Sequence, residues 1–155
     1  MLMAGLRRVH AEAAAAHGIP MQWLEFNARR PVPGAVEPAV SYGIICGYDA
    51  ARRELEYMCA QRVASFEGLG AEWQRLRTPP ARYAVFEHRG HASTLRQVWA
   101  GIHGDWLPRS GLRARQVPDF ERYDARFDPA TGAGLVEIWF PVETDTDAPF
   151  LRGPA

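Results

Sequence analysis

ARYAVFEHRGHASTLRQVWAGIHGDW, residues 81–106, changes its hydrophobic period partway along. From Ala81 to Arg89, Tyr83 and Val85 alternate with Ala84 and Phe86, the period of two that belongs to a strand. From Ser93 to Trp106, Leu95, Val98, Trp99, Ile102 and Trp106 recur at three or four residues, the spacing of one helical face. Pro108 and Gly111 are expected to end that helix. Asp119 to Phe127 and Leu135 to Val142 then read as a hairpin turning at Pro129-Ala130-Thr131-Gly132. The predicted order is βαββ.

Working outward, the first half carries the same order. Leu2 to His10 has strand-like content, and Gly18-Ile19-Pro20 predicts a helix start with Pro in its first turn. That helix runs to about Arg29, where Arg30-Pro31-Val32-Pro33-Gly34 stops it, because proline cannot continue the hydrogen-bond ladder. Val40 to Tyr48 and Glu54 to Ala64 flank Asp49-Ala50-Ala51-Arg52-Arg53 as a second hairpin. Residues 65–80 hold Phe66, Leu69 and Trp73 before Thr78-Pro79-Pro80, which predicts an ordered connection packed on the core. The expected fold class is α+β: two tandem βαββ units, about 1–64 and 81–143, in one domain spanning 1–143. Residues 144–155, polar and proline-bearing, predict a flexible tail. Element order repeats between the halves; residue identity does not.

Composition limits what such a domain can do. The 155 residues contain 18 basic and 18 acidic side chains, 9 against 8 before residue 81 and 9 against 10 after it, so neither half forms a basic footprint for nucleic acid. Every basic residue other than histidine is Arg, which fits a GC-rich, bacterial coding bias. No apolar run approaches the roughly 18 residues of a membrane span, and the N-terminus lacks a signal-peptide pattern; a cytoplasmic protein is expected. Cys46 and Cys59 lie on adjacent predicted strands, but a turn near Ala50 and Ala51 sets Cys46 opposite residue 55 or 56. The two therefore read as buried thiols.

Glu137 breaks the pattern of the last strand, Gly-Leu-Val-Glu-Ile-Trp-Phe-Pro-Val-Glu at 134–143. Leu135, Glu137 and Trp139 share one face, and Val136, Ile138, Phe140 and Val142 share the other. Both faces are largely apolar, so a carboxylate there needs a partner, because an isolated buried charge costs several kcal/mol at least. Two readings fit: an arginine across the sheet, or a pocket anion for a cationic ligand between aromatic walls. His88, His91 and His103 lack metal-ligand spacing, and neither a metal nor another cofactor is expected. Nucleophile-elbow, phosphate-loop and zinc-hydrolase motifs are absent from the sequence. Trp23, Tyr42, Tyr48, Trp99, Trp106, Phe120 and Tyr123 are aromatics of a kind more often core than pocket, and some must be core here, given the helix stripe they occupy.

Four ordered blocks carry a resemblance: Ala81 to Gly90, Trp106-Leu107-Pro108-Arg109-Ser110-Gly111, Pro118-Asp119-Phe120-Glu121-Arg122-Tyr123, and Val136 to Val142. Together with Gly18-Ile19-Pro20, Val40 to Ile44 and Val63-Ala64-Ser65-Phe66 in the first half, they make the chain resemble the GyrI-like small-molecule-binding domain. That family includes effector-binding domains of AraC-type and multidrug-sensing regulators and a stand-alone gyrase inhibitory protein. The resemblance implies a pseudo-twofold pair of βαββ units on an antiparallel sheet, with two main helices and the ligand in a groove between them. It also implies that the last-strand glutamate is the pocket's recurrent polar group, which carries over to Glu137. Tyr42, Tyr83, Trp99 and Phe120, by their blocks, and Trp139, by shared parity with Glu137, are the expected ligand-binding aromatics.

With no room here for the helix-turn-helix that precedes the domain in regulators, the expected function of a complete chain is stand-alone binding of a small amphipathic, cationic or aromatic compound. A fragment would return the reading to a regulator. Two alternatives accompany it: a hydrolase of cyclopropanoid genotoxic compounds with Glu137 as general base, and a gyrase-inhibitor-like protein-interaction factor. The partner expected is a small molecule, without nucleic acid or membrane; a homodimer is left open.

Overall fold

In the computed structural model, which describes residues 1–144, the alternating segments pair into one antiparallel sheet. The elements are β1 (Leu2–Ala11), α1 (Glu12–Arg29), β2 (Ser41–Asp49), β3 (Glu54–Arg62), β4 (Gln74–Arg77) and β5 (Arg82–His91). A 3-10 turn (Ala92–Thr94), α2 (Leu95–Gly101), a π-helical stretch (Ile102–Trp106) and α3 (Leu107–Ser110) follow, then β6 (Arg113–Ala114), β7 (Asp119–Asp128) and β8 (Ala133–Glu143). Beyond Thr144 the expected tail lies outside the described residues.

Strand order is β4-β1-β3-β2-β7-β8-β5, with β6 added beside β8. Each βαββ unit places its third strand in the middle, and the units join where their equivalent strands β2 and β7 pair, Gly43 facing Glu121. Laid flat, seven strands at about 4.8 Å would separate the outer edges by roughly 29 Å. Arg77 and Arg82, on those edges, are only five residues apart, a reach of at most about 19 Å. The sheet therefore curls. Its concave face encloses one core of Met3, Tyr42, Ile44, Met58, Ala60 and Phe120, to which Leu76 of β4 and Tyr83 of β5 contribute from opposite edges. The convex face carries the helices over two further cores. Phe26 of α1 packs there on Ala4, Leu6 and Cys59, and Leu95 of α2 and Ile102 pack on Val136, Ile138 and Phe140.

Three expectations are corrected. Helix α1 begins at Glu12, six residues before Gly18, and contains Pro20. Its first turn needs no side-chain cap because the Glu12 amide donates to the Arg53 carbonyl of the β2–β3 turn. Gly18 marks a close approach, since a Cβ there would meet the His10 ring at 2.5 Å. The second helix is not one regular run, and it continues through Pro108 to Ser110, where Gly111 at φ 70° ends it in the left-handed conformation. Residues 65–80 pack Phe66, Leu69 and Trp73 into the α1 core as expected, but they also supply β4, too short at four residues to show a period. Both cysteines are free thiols; Cys46 falls at an irregularity between Ile45 and Gly47, with Gly47 opposite Glu56.

Candidate functional site

The seam between the two units runs under both helices. On β7, Phe120 and Arg122 turn to the concave face and Glu121 and Tyr123 to the convex face, fixed by pairing Phe120 with Trp139 and Glu121 with Ile138. Glu121 is 8% exposed, yet its carboxylate is fully partnered. Trp99 of α2 donates its indole N–H to Oε1 at 2.9 Å, and Tyr57 of β3 and Tyr123 donate hydroxyls to Oε2 at 3.1 and 2.8 Å. From the other side, Trp23 of α1 donates to the Tyr57 hydroxyl at 3.1 Å and packs edge-on against Tyr123 with ring centroids 5.0 Å apart. One carboxylate thus ties together both helices and both units.

Room for this cluster comes from Gly43. A Cβ at that position would overlap the Tyr57 hydroxyl and approach Glu121 Oε2 to 2.9 Å. All three donors to Glu121 are neutral, so its charge has no cationic neighbour in hydrogen-bond contact. Burial pushes its pKa up, and the hydrogen bonds from Trp99, Tyr123 and Tyr57 and the more distant charge of His88 offset only part of that rise. Burial, with Glu121 beside them, also holds the Tyr57 and Tyr123 hydroxyls well above the usual tyrosine range. The cluster is a buried carboxyl group held by neutral aromatic donors from both units, with the Trp23 and Trp99 indoles contributed by the two helices.

Glu137 lies elsewhere. It faces the concave side, its side chain 16% exposed, where Arg126 donates to Oε1 at 2.5 Å and Arg122 stands 3.5 Å from Oε2. Trp139 donates its indole N–H to Oε2 at 3.0 Å. Burial opposes ionisation, but Arg126, Trp139 and the charge of Arg122 together hold Glu137 below the usual carboxylate range. Of the two readings open in the sequence, the arginine partner across the sheet is the arrangement found: Arg122 faces Glu137 in the β7–β8 register.

The predicted site residues separate accordingly. Trp99 stands on α2 against Glu121. Tyr83, Phe120 and Trp139 form a concave-face cluster with Phe120 and Trp139 stacked at 5.5 Å, Tyr83 at 5.2 Å from Phe120, and Tyr42 edge-on to Phe120 at 5.7 Å. Sequence reasoning passed over Glu121, Gly43 and Tyr57, and counted Trp23 and Tyr123 among aromatics more often core than pocket. A usable signal was the parity of Phe120-Glu121-Arg122-Tyr123, which puts a carboxylate and a tyrosine together on the face opposite Phe120.

A curled antiparallel sheet with two helices across its convex face is the architecture of GyrI-like effector-binding domains. Residues 1–142 match the family of integron-associated effector binding proteins, Cass2, and the chain belongs to it. It is 30% identical over 122 residues to the transcriptional regulator BrlR of Pseudomonas aeruginosa, covering 77% of this chain and 44% of BrlR, less than half of that relative's length. Among solved structures, the integron cassette protein VCH_CASS2 of Vibrio cholerae shares the fold with TM-score 0.67 at 17% identity, over 92% of this chain and 90% of that one. SAV2435, solved bound to tetraphenylphosphonium, shares it with TM-score 0.72 at 17% identity, over 92% of this chain and 88% of that one. Among the described residues, no helix is long and apolar enough to cross a membrane.

Proposed function

We propose that this protein binds amphipathic organic cations in the groove between α1 and α2, with Glu121 as the counter-charge. The observation that carries this reading is a buried carboxylate whose donors are all neutral. Desolvating such an anion without a cation is costly, and a delocalised cation entering between Trp23 and Trp99 would supply the missing charge along with aromatic faces to stack on. The relative solved with tetraphenylphosphonium supports that ligand class.

At about 5 Å and an effective dielectric of roughly 20, two unit charges attract by about 3 kcal/mol, part of which desolvation cancels. Titration of the intrinsic tryptophan fluorescence with tetraphenylphosphonium tests the reading. Glu121→Gln keeps the shape of the side chain and is expected to weaken binding by about 10- to 100-fold. Equal affinity of parent and variant, both with folded circular dichroism spectra, would remove the charge role.

A hydrolytic role would also move to Glu121. Glu137, held low by its arginines, is the weaker base, whereas burial raises the pKa of Glu121. Both Glu121 oxygens already accept hydrogen bonds, so an attacking water would first have to displace a tyrosine or Trp99. The geometry favours binding over turnover.

A further inference from the structure

The curl of the sheet leaves a second concavity that the groove does not explain. Strands β4 and β5 are the two ends of the hydrogen-bonded path, so the sheet is not closed into a barrel there. Between them runs Thr78-Pro79-Pro80-Ala81, in which the two prolines have no N–H to offer either edge. Beneath this link lies a cavity of about 360 Å³, lined by Thr78, Pro79, Pro80, Ala81, Tyr83, Phe120 and Trp139 and reached by Met1.

Its polar groups are committed elsewhere. The Tyr83 hydroxyl donates to the Pro118 carbonyl at 3.2 Å, and the Trp139 indole N–H is held by Glu137 at 3.0 Å. The Thr78 hydroxyl is engaged with the backbone of Met1. Glu137, Arg122 and Arg126 therefore act as a positioning group: they fix the indole so that its ring, stacked on Phe120, forms the cavity wall. Most of what faces the space is ring surface and aliphatic carbon, and the ammonium of the lining residue Met1 donates to the Thr78 carbonyl and hydroxyl at 2.8 and 3.0 Å.

We infer that this cavity is a second ligand site, specific for neutral apolar molecules of two or three fused or linked rings. Its volume falls within the range of small-molecule pockets. A dry cavity of about 150 Å³ holds benzene, so about 360 Å³ suits a naphthalene- to anthracene-sized ligand. The one charge on its lining residues is the Met1 ammonium, held by Thr78, so the site offers a cation no counter-charge and selects against the cations assigned to Glu121. It stands on the other face of the sheet and does not depend on the groove reading.

The neutral fluorophore N-phenyl-1-naphthylamine tests this inference on the full chain. Its emission is expected to rise and shift to the blue on binding, and to stay so in Glu121→Gln and in saturating tetraphenylphosphonium. Ala81→Trp fills the cavity and should weaken the probe at least tenfold while leaving tetraphenylphosphonium affinity unchanged. Pro80→Trp, at an exposed position, is the second filling variant should Ala81→Trp not fold. The inference is overturned if the parent does not bind the probe up to its solubility limit, or if a folded filling variant binds it as tightly as the parent. Displacement of the probe by tetraphenylphosphonium, or its loss in Glu121→Gln, would place it in the groove and overturn the inference equally.

Discussion

Replacing Gly43 by alanine puts one methyl group at the joint of the two units. The new Cβ would overlap the Tyr57 hydroxyl, with Tyr57 Cζ at 2.8 Å and Glu121 Oε2 at 2.9 Å, so the tyrosine ring must leave its place. Overpacking of this kind costs about 1–3 kcal/mol. Moving Tyr57 also breaks its hydrogen bond to a buried carboxylate, worth about 1.5–3 kcal/mol, and strands the Trp23 indole N–H that Tyr57 accepts. The expected destabilisation is about 3–5 kcal/mol, or ~9–15 °C in melting temperature for a chain of this size. Urea unfolding of Gly43→Ala, Tyr57→Phe and the double variant measures it. Once Tyr57 has lost its hydroxyl the alanine has less to displace, so the double variant should cost less than the sum of the singles. Additive costs, or a Gly43→Ala protein within about 1 kcal/mol of the parent, would refute the close packing of Gly43, Tyr57 and Glu121.

Three further outcomes follow from the same structure. A bound cation favours ionised Glu121, so tetraphenylphosphonium affinity should fall as the pH is lowered through the raised Glu121 pKa. Isothermal titration should find that slope absent in Glu121→Gln. Asp119, pushed up to about 7 mainly by burial, binds its proton more tightly folded than unfolded. It therefore costs stability as pH rises from about 4 through about 7; Asp119→Asn should stabilise the protein by up to roughly 4 kcal/mol at pH 8 and leave it unchanged at pH 3, by urea unfolding. Glu137→Gln, on the concave face, should leave tetraphenylphosphonium affinity within twofold of the parent in the same fluorescence titration used for Glu121→Gln.

The order of elements was legible because long segments announce their period. Ten residues from Arg82 to His91 and ten from Asp119 to Asp128 alternate for long enough to be read as strands. The apolar spacing from Leu95 to Trp106 likewise marks a helix. The misread parts have causes the local pattern does not contain. Helix α1 begins at Glu12 because the distant Arg53 carbonyl satisfies its first amide, and no capping side chain records that. Gly18 looked like a boundary although its glycine answers to His10 across the α1–β1 contact.

The candidate site shows a sharper limit. Parity correctly grouped Glu137 with Trp139, and the same rule groups Glu121 with Tyr123, but parity does not say which face the helices cover. In this fold the convex face takes the helices, and the concave face is filled by the curl of the sheet itself. Both faces of β8 are consequently apolar, and composition cannot tell them apart. The deciding difference is what stands across each strand. Glu137 meets Arg122 in the next strand and is neutralised there, whereas Glu121 meets Gly43, which offers neither charge nor bulk. A carboxylate opposite a glycine at the joint of two units has no counter-charge across the strand, and the room the glycine leaves is taken by the Tyr57 hydroxyl, which with Trp99 and Tyr123 surrounds Glu121 with donors that carry no charge. The register across β2 and β7, more than the presence of a glutamate in an apolar strand, is what leaves Glu121 with neutral donors while Glu137 has arginines.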